Sequence, residues 1–348
     1  MDYIYKYKIF IIITLILIIN YLKICLNLNN LQKRLNLSIE FNKIYSNLYF
    51  IAKDGETKAP KFLNNYIIQN YSIIKRKGLC LCTIGKKENL YAREFVEYYK
   101  LLGFDKIIIF DNNENEEEKF EHVLKDYISN NFVEIIDIRG IISVQIPVLN
   151  YCYKKYYELF DWIAFFDFDE YLFIKESQNI KNYIYNKKFE NCQSILFNWN
   201  IYDDNDLEKY DNRKLIQRFN HLKYYSSNVK SMVRGGLENI IIPSSHIIGI
   251  NINHFCDSNG NKIFPKTYYE IKNNKHYKAF IKHFYTKTAE EFCNKIIKGD
   301  VQFHKNYQKY YELLKKKLDF FFFINKKTKR KIIILEKCLG FNLTKLKK

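Results

Sequence analysis

Trp162-Ile-Ala-Phe-Phe-Asp-Phe-Asp-Glu-Tyr171 is the stretch on which the reading of this chain turns. From Trp162 to Phe166 it is apolar without a break, as in a strand buried on both faces. Three carboxylates follow at once, Asp167, Asp169 and Glu170, and so close together they repel one another unless a cation stands among them. If the strand continues, alternation puts Asp167 and Asp169 on one side and Phe168 with Glu170 on the other. Hard divalent ions such as Mg2+ or Mn2+ take oxygen ligands, often one or two protein carboxylates plus the phosphates of a substrate. Asp167 and Asp169 are therefore candidate metal ligands in a metal-diphosphate site, with Glu170 as a supporting carboxylate. The competing reading is a strand that simply ends in a solvated acidic turn.

Working outward from this stretch, strand and helix signals alternate. Leu79 to Ile84 reads as a strand, Leu90 to Leu102 as an amphipathic helix stopped by Gly103, and Lys106 to Phe110 as a strand. Phe120 to Ser129 reads as a helix, Phe132 to Ile138 as a strand, and Ile146 to Phe160 as a helix that leads into Trp162. Such alternation predicts an α/β domain with a mostly parallel sheet covered on both faces, whose ligands bind beyond the carboxyl ends of the strands. Asp111 and Asp167 both fall at such ends.

The 348 residues, 47% of them hydrophobic, suffice for a substantial core and exclude a disordered chain. The net charge of +18 is concentrated at the end: from Leu314 to Lys348 twelve Lys or Arg face only Asp319 and Glu336. With no zinc-finger spacing and no basic stripe interleaved with aromatics along the body, nucleic acid is not an expected partner. At the other end, Ile9 to Leu22 is nearly all apolar between Lys6, Lys8 and Lys23, and Ala52 is the first alanine, too late for a small-residue cleavage site. The expectation is an uncleaved signal anchor, a single membrane-spanning helix in 1–26, with its orientation open. A linker at 27–77, a catalytic domain at 78–304 and a basic helical tail at 305–348 complete the division. The eight cysteines form no CxxC pair, which argues against zinc and permits disulfides without requiring them; Cys80 and Cys82 share one strand face, where buried thiols are ordinary.

The succession Cys82-Thr-Ile-Gly-Lys-Lys-Glu88, Glu94 to Asp105, Ile109-Phe-Asp-Asn-Asn113, Gln145, Trp162 to Glu170, Asn198-Trp-Asn200 and His283-Phe-Tyr-Thr-Lys-Thr288 resembles glycosyltransferase family 92 and its family-2-like relatives. The resemblance covers roughly Leu79 to Asp300. It departs at Lys87, where the family usually has Asn, and at Phe95 and Tyr99, where Trp and His are usual. It implies a GT-A type, Rossmann-like fold and transfer of a sugar from a nucleotide-diphosphosugar to a glycan or glycolipid hydroxyl, with Mn2+ or Mg2+ on the Asp-x-Asp. By the same resemblance Asp111 lies against the base or ribose, with Thr83 and Glu88 lining that pocket, and His283 completes the metal shell; His246 and His254 are its rivals. Lys230, Ser231 and Arg234 suit the diphosphate, because Lys and Arg complement phosphate oxygens. If transfer inverts the anomeric centre, a carboxylate must deprotonate the acceptor; among Asp203, Asp204 and Asp206 we take Asp204. Thr288 to Asp300 has helical spacing, with Phe292 and Ile296 as core and Gly299 as its stop, and receives no catalytic part. In a membrane protein of this kind the site would lie in the Golgi or endoplasmic-reticulum lumen of a eukaryote, or at the cytoplasmic face of a bacterium. A silent, membrane-tethered binding or scaffold protein of the same fold is the alternative.

Overall fold

The computed structural model describes residues 78–298, apart from 115–117, 142–143, 250–251, 266, 268 and 273–276, and of the segment before 78 only Asn36. The expected anchor, linker and basic tail therefore lie outside the described residues, and no described helix is long and apolar enough to cross a membrane.

The first half follows the alternation. Strand β1 (Leu79–Gly85) leads to helix α1 (Asn89–Leu102), β2 (Lys106–Asp111), α2 (Phe120–Ser129), β3 (Val133–Asp137), α3 (Gln145–Tyr156) and β4 (Trp162–Phe165). All seven residues of β1 are buried, so it has helices on both faces. Leu79 and Leu81 belong to the core that contains Phe95, Val96 and Tyr99 of α1, and Cys80 and Cys82 to the one that contains Val148 and Cys152 of α3. The helix α1 buries Tyr91, Ala92, Phe95, Val96, Tyr99 and Leu102, the stripe a 3.6-residue period demands. It stops at Gly103, whose φ of 105° is left-handed and whose N–H donates to the Lys100 carbonyl. Helix α3 ends earlier than expected, and the chain there passes tightly against the end of β7 (Leu222–Arg234). A Cβ on Gly235 would stand 1.8 Å from the Phe160 carbonyl oxygen, so only glycine fits.

The sheet order is β3-β2-β1-β4-β7-β6-β10-β5. Strands β3, β2, β1 and β4 are parallel. Beyond them the expectation of a mostly parallel sheet fails. Strand β7 runs antiparallel to β4 and to β6 (Ser194–Tyr202), β10 (Ala279–His283) is parallel to β6, and β5 (Glu170–Ile174) is antiparallel to β10. The sheet is mixed because residues 166–169 are too few for a helical crossover between β4 and β5. Those same residues join strands four places apart in the order, so the sheet curls and brings the start of β5 close to the end of β4. Two short strands, β8 (Phe255–Asp257) and β9 (Lys262–Ile263), extend from the beginning of β6. Helices α4 (Ile180–Ile184), α5 (Leu215–Arg218) and α6 (Ala289–Lys298) complete the described elements used below.

Among the described residues two disulfides staple this frame. Cys82 of β1 is bonded to Cys152 of α3, which corrects its reading as an ordinary buried thiol, and Cys192 is bonded to Cys256 of β8. Cys80 is a buried free thiol.

Candidate functional site

Strand β4 ends at Phe165, and Asp167 to Glu170 form a tight turn. The Glu170 N–H donates to the Asp167 carbonyl at 2.9 Å, and the Asp167 N–H donates to Glu170 Oε2 at 2.9 Å. Phe168 plugs the turn into the core, stacked on Phe120 at 5.4 Å and beside Phe95 at 4.7 Å. The turn replaces the expected strand alternation and separates the two aspartates. Asp167, its side chain 39% exposed, accepts from Lys230 Nζ at 2.7 Å. Asp169, 10% exposed, accepts from Lys295 Nζ at 2.7 Å and lies 3.6 Å from His283 Nε2. Burial raises the Asp169 carboxyl, but Lys295 and His283 outweigh it and hold the group well below the usual carboxylate range. Glu170 is fully buried, and that burial pushes its carboxyl well up despite Lys230 at 3.4 Å.

Each partner is delivered by the curl of the sheet. Ser231 of β7 pairs with Phe165, the last residue of β4, so Lys230 is the first β7 residue beyond that strand. His283 ends β10 directly opposite Glu170, its ring 4.3 Å from that of Trp199. Its Nδ1 is buried without a hydrogen-bond partner among the described residues, and burial pushes its pKa down, which favours the neutral imidazole. The rival His246 stands close by: its Nδ1 lies 3.0 Å from the Val229 carbonyl and its ring 5.1 Å from that of Trp199. The backbone of His254 pairs with the start of β6, where its carbonyl accepts from Gln193 and Ser194.

The segment given no catalytic part turns out to supply cations. Helix α6 opens with a capping box in which the Glu291 N–H donates to Thr288 Oγ1 at 3.2 Å and the Thr288 N–H donates to Glu291 Oε2 at 3.1 Å. Thr288-x-x-Glu291 is a sequence signature of a helix start and was there to be read. Arg218 of α5 grips Glu291 through both terminal nitrogens at 2.7 and 2.9 Å, and Tyr91 OH donates to it at 2.8 Å. So anchored, α6 aims Lys295 at Asp169 and Lys298 at Glu88 and, at 3.0 Å, the Lys86 carbonyl. Lys287, just before the helix, is buried with its ammonium 4.0 Å over the Tyr91 ring. Burial pushes its pKa down, and the charges it feels are Glu88, Asp169, Lys295 and Lys298.

Among the described residues no three His, Cys, Asp or Glu side chains converge as a ready metal site. Two donors do face one another. Ligands of a small divalent ion at right angles stand about 3 Å apart, and Asp169 Oδ1 and His283 Nε2, 3.6 Å apart, come near that figure. One carboxylate and one neutral imidazole fit an ion that draws its other ligands from substrate phosphates and water, Mn2+ better than Mg2+. Asp167 keeps one oxygen, Oδ2, on Lys230 Nζ at 2.7 Å.

On the nucleotide side, Thr83 Oγ1, Glu88 Oε2, Asn112 Oδ1 and Asn113 Nδ2 are buried without hydrogen-bond partners among the described residues, all beside the carboxyl ends of β1 and β2. Asp111 itself is wholly buried under Arg139, whose Nε donates to it at 2.9 Å, and it accepts the Asn113 N–H at 3.0 Å. The expected direct contact with a nucleoside is thus corrected: Asp111 orients Arg139 and the Asn113 backbone. Arg234 is corrected too. It pairs with Trp162 at the start of β4, the end away from Asp167, where its guanidinium lies 4.4 Å over the Trp162 ring and donates to the Cys192 and Phe189 carbonyls. The Ser231 hydroxyl donates to the His246 carbonyl at 2.5 Å. Asp204 stands on the loop after β6, where it accepts the Asp206 N–H at 2.9 Å.

The sheet edge that gathers two aspartates, a histidine and several lysines is the candidate active site. The family model of glycosyltransferase family 92 matches residues 75–321, and the chain belongs to that family. A family 92 protein of Ricinus communis is 23% identical over 113 residues, 32% of this chain and 20% of the relative. One of Arabidopsis thaliana is 28% identical over 95 residues, 27% of this chain and 16% of the relative. The matched stretch thus spans a fifth or less of these relatives. Among solved structures, Staphylococcus aureus TarS 1-349 in complex with UDP-GlcNAc is 10% identical, covers 76% of this chain and 72% of its own, and has a TM-score of 0.36. The mannosyltransferase PcManGT from Pyrobaculum calidifontis, in complex with GDP-Man and Mn2+, is 8% identical, with 47% and 46% covered and a TM-score of 0.27. Likenesses this loose carry no argument about the ligand or metal of this chain.

Proposed function

We propose that this protein is a glycosyltransferase of GT-A type that moves a sugar from a nucleotide-diphosphosugar to a hydroxyl of a glycan or glycolipid, with Mn2+ or Mg2+ as cofactor. The observation that carries the reading is the Asp167 to Glu170 turn at the carboxyl edge of the sheet, with Asp169 and His283 facing one another inside a ring of lysines. A bound divalent ion would neutralise the diphosphate leaving group and act as Lewis acid there. The protein's own part is to hold that group still. Lys230 fixes the turn through Asp167 and Glu170, and Glu170 locks the Asp167 backbone. The orphaned polar atoms of Thr83, Glu88, Asn112 and Asn113 support a nucleoside pocket beside β1 and β2, because buried polar groups seek partners. On the acceptor side we assign the base to Asp204, which follows Ile201, the β6 residue in register with His283.

The same reading includes a single-pass anchor in 1–26, a donor, an acceptor and a membrane as partners, and no nucleic acid. Two disulfides persist in an oxidising compartment and support a lumenal or extracellular face for the catalytic domain.

The test is a screen of UDP-, GDP- and CMP-sugars with the full chain, with and without Mn2+, read first as thermal stabilisation and then as nucleotide release. Asp169→Asn and Asp167→Ala should each abolish metal-dependent release while the protein stays folded. Absence of binding and release with every donor refutes the reading; donor binding without turnover would favour the silent scaffold.

A further inference from the structure

Lys287 is an unusual charge among the described residues. Its side chain is buried, 6% exposed, yet among the described residues no carboxylate lies within 4 Å of its ammonium. Its contact is the face of Tyr91, with the Nζ 4.0 Å from the ring centroid. Its backbone is left-handed at φ 54°, a conformation uncommon outside glycine, asparagine and aspartate. The nearby carboxylates are already paired, Asp169 with Lys295 and Glu88 with Lys298. A buried ammonium without a counter-ion destabilises a fold, and the lack is made good when an anion arrives.

Resting on the transferase reading above, we propose that Lys287, with Lys295 beside it, is the anion-binding residue of the site and takes the diphosphate of the donor. The two lysines have complementary situations. Lys287 has a buried place and, among the described residues, no carboxylate within 4 Å. Lys295 has one carboxylate, Asp169 at 2.7 Å, one carbonyl, Tyr285 at 3.3 Å, and a side chain 26% exposed. A cation taken up by Asp169 and His283 would repel the Lys295 ammonium, whose four-carbon stem lets it turn to a phosphate oxygen while α6 stays fixed. Lys230 cannot do the same, because it is held between Asp167 and Glu170 with 3% exposure. The ligand chemistry is two linked phosphates, which a single ammonium cannot span as well as a pair can.

The full chain in detergent is titrated with inorganic pyrophosphate, then with UDP and GDP, each with and without Mn2+, and its melting temperature is recorded without ligand. Lys287→Met should lose at least about tenfold in pyrophosphate affinity and melt no lower than the unsubstituted protein, since it removes a charge that folding must bury. Lys295→Met should weaken pyrophosphate in the presence of Mn2+ and tighten Mn2+ alone, because the competitor on Asp169 is gone. A structural role moves these readouts differently, lowering the melting temperature at Lys287 or weakening both ligands at Lys295. The proposal is overturned if Lys287→Met fails to fold, or if it melts lower and binds pyrophosphate within about twofold of the original. If the unsubstituted protein binds UDP or GDP with Mn2+ and both variants bind them equally well, the proposal fails and the transferase reading stands. If it binds none of the three probes under any condition, both fail.

Discussion

Replacing Glu291 with methionine should unfold this protein far more readily than any surface change, and the structure gives the size of the effect. Glu291 and Arg218 are each 1% exposed at their side chains, joined by bonds of 2.7 and 2.9 Å. The same carboxylate accepts Tyr91 OH at 2.8 Å and the Thr288 N–H at 3.1 Å. Without it Arg218 keeps the Arg213 carbonyl at 3.0 Å and Asp211 at 4.0 Å. Breaking a buried pair from one side costs about 3–5 kcal/mol. At about 2–4 °C per kcal/mol for a domain of this size, the melting temperature should fall by roughly 6–20 °C. The assay is urea and thermal unfolding of the full chain for Glu291→Met, Arg218→Met and the double variant. Because well-packed apolar groups often replace a buried pair without loss, the double variant should be more stable than Glu291→Met, with a coupling energy of about 2 kcal/mol or more. A Glu291→Met variant that loses less than about 1 kcal/mol, or a double variant whose losses simply add, would refute the view that this pair anchors α6.

Two further outcomes follow from the core. Burial, reinforced by Lys230, pushes the His246 pKa down to about 4 from its ordinary 6.5, so between those values the unfolded chain binds a proton that the native state refuses. Its stability is full above about pH 6.5 and lost as pH falls towards 4, by about 3 kcal/mol; urea unfolding across that range should show a shallower decline for His246→Phe, and identical slopes would count against the buried neutral ring. Cys192 and Cys256 are 64 residues apart, so replacing both with alanine removes a loop constraint worth about 4 kcal/mol; an unchanged urea midpoint for that variant, with the original insensitive to dithiothreitol, would exclude a stabilising bridge.

Where the sequence was informative, local and non-local information agreed. The strands β1, β2 and β4 are near-continuous apolar runs and helix α1 carries a 3.6-residue stripe with a glycine stop at Gly103, so their order could be read directly. Strand β7 offers no such signal. Its sequence Leu222-Lys-Tyr-Tyr-Ser-Ser-Asn-Val-Lys-Ser-Met-Val-Arg234 mixes exposed and buried positions without alternation, because only Ser231 to Arg234 pair with β4 and only Val229 to Val233 are buried. That is why Lys230 and Arg234 looked equivalent. Four residues along a strand is about 13 Å, enough to put one at Asp167 and the other on Trp162 at the far end of β4. Cysteine pairing was illegible for a different reason, since eight cysteines allow 105 connectivities and spacing alone selects none.

The acidic stretch itself shows the limit most sharply. Asp167 and Asp169 are chemically identical and two residues apart, and strand geometry would make them a pair. One hydrogen bond decides otherwise: Glu170 takes the Asp167 N–H, the chain turns, and Phe168 drops between Phe120 and Phe95. After that turn the two carboxylates meet different strands, β7 for Asp167 and β10 with α6 for Asp169, which come from 55 to 130 residues further along the chain. The sequence names the acids, but the curl of the sheet sets their partners, and the partners separate the half-exposed carboxylate that Lys230 holds from the buried one that faces His283 and Lys295.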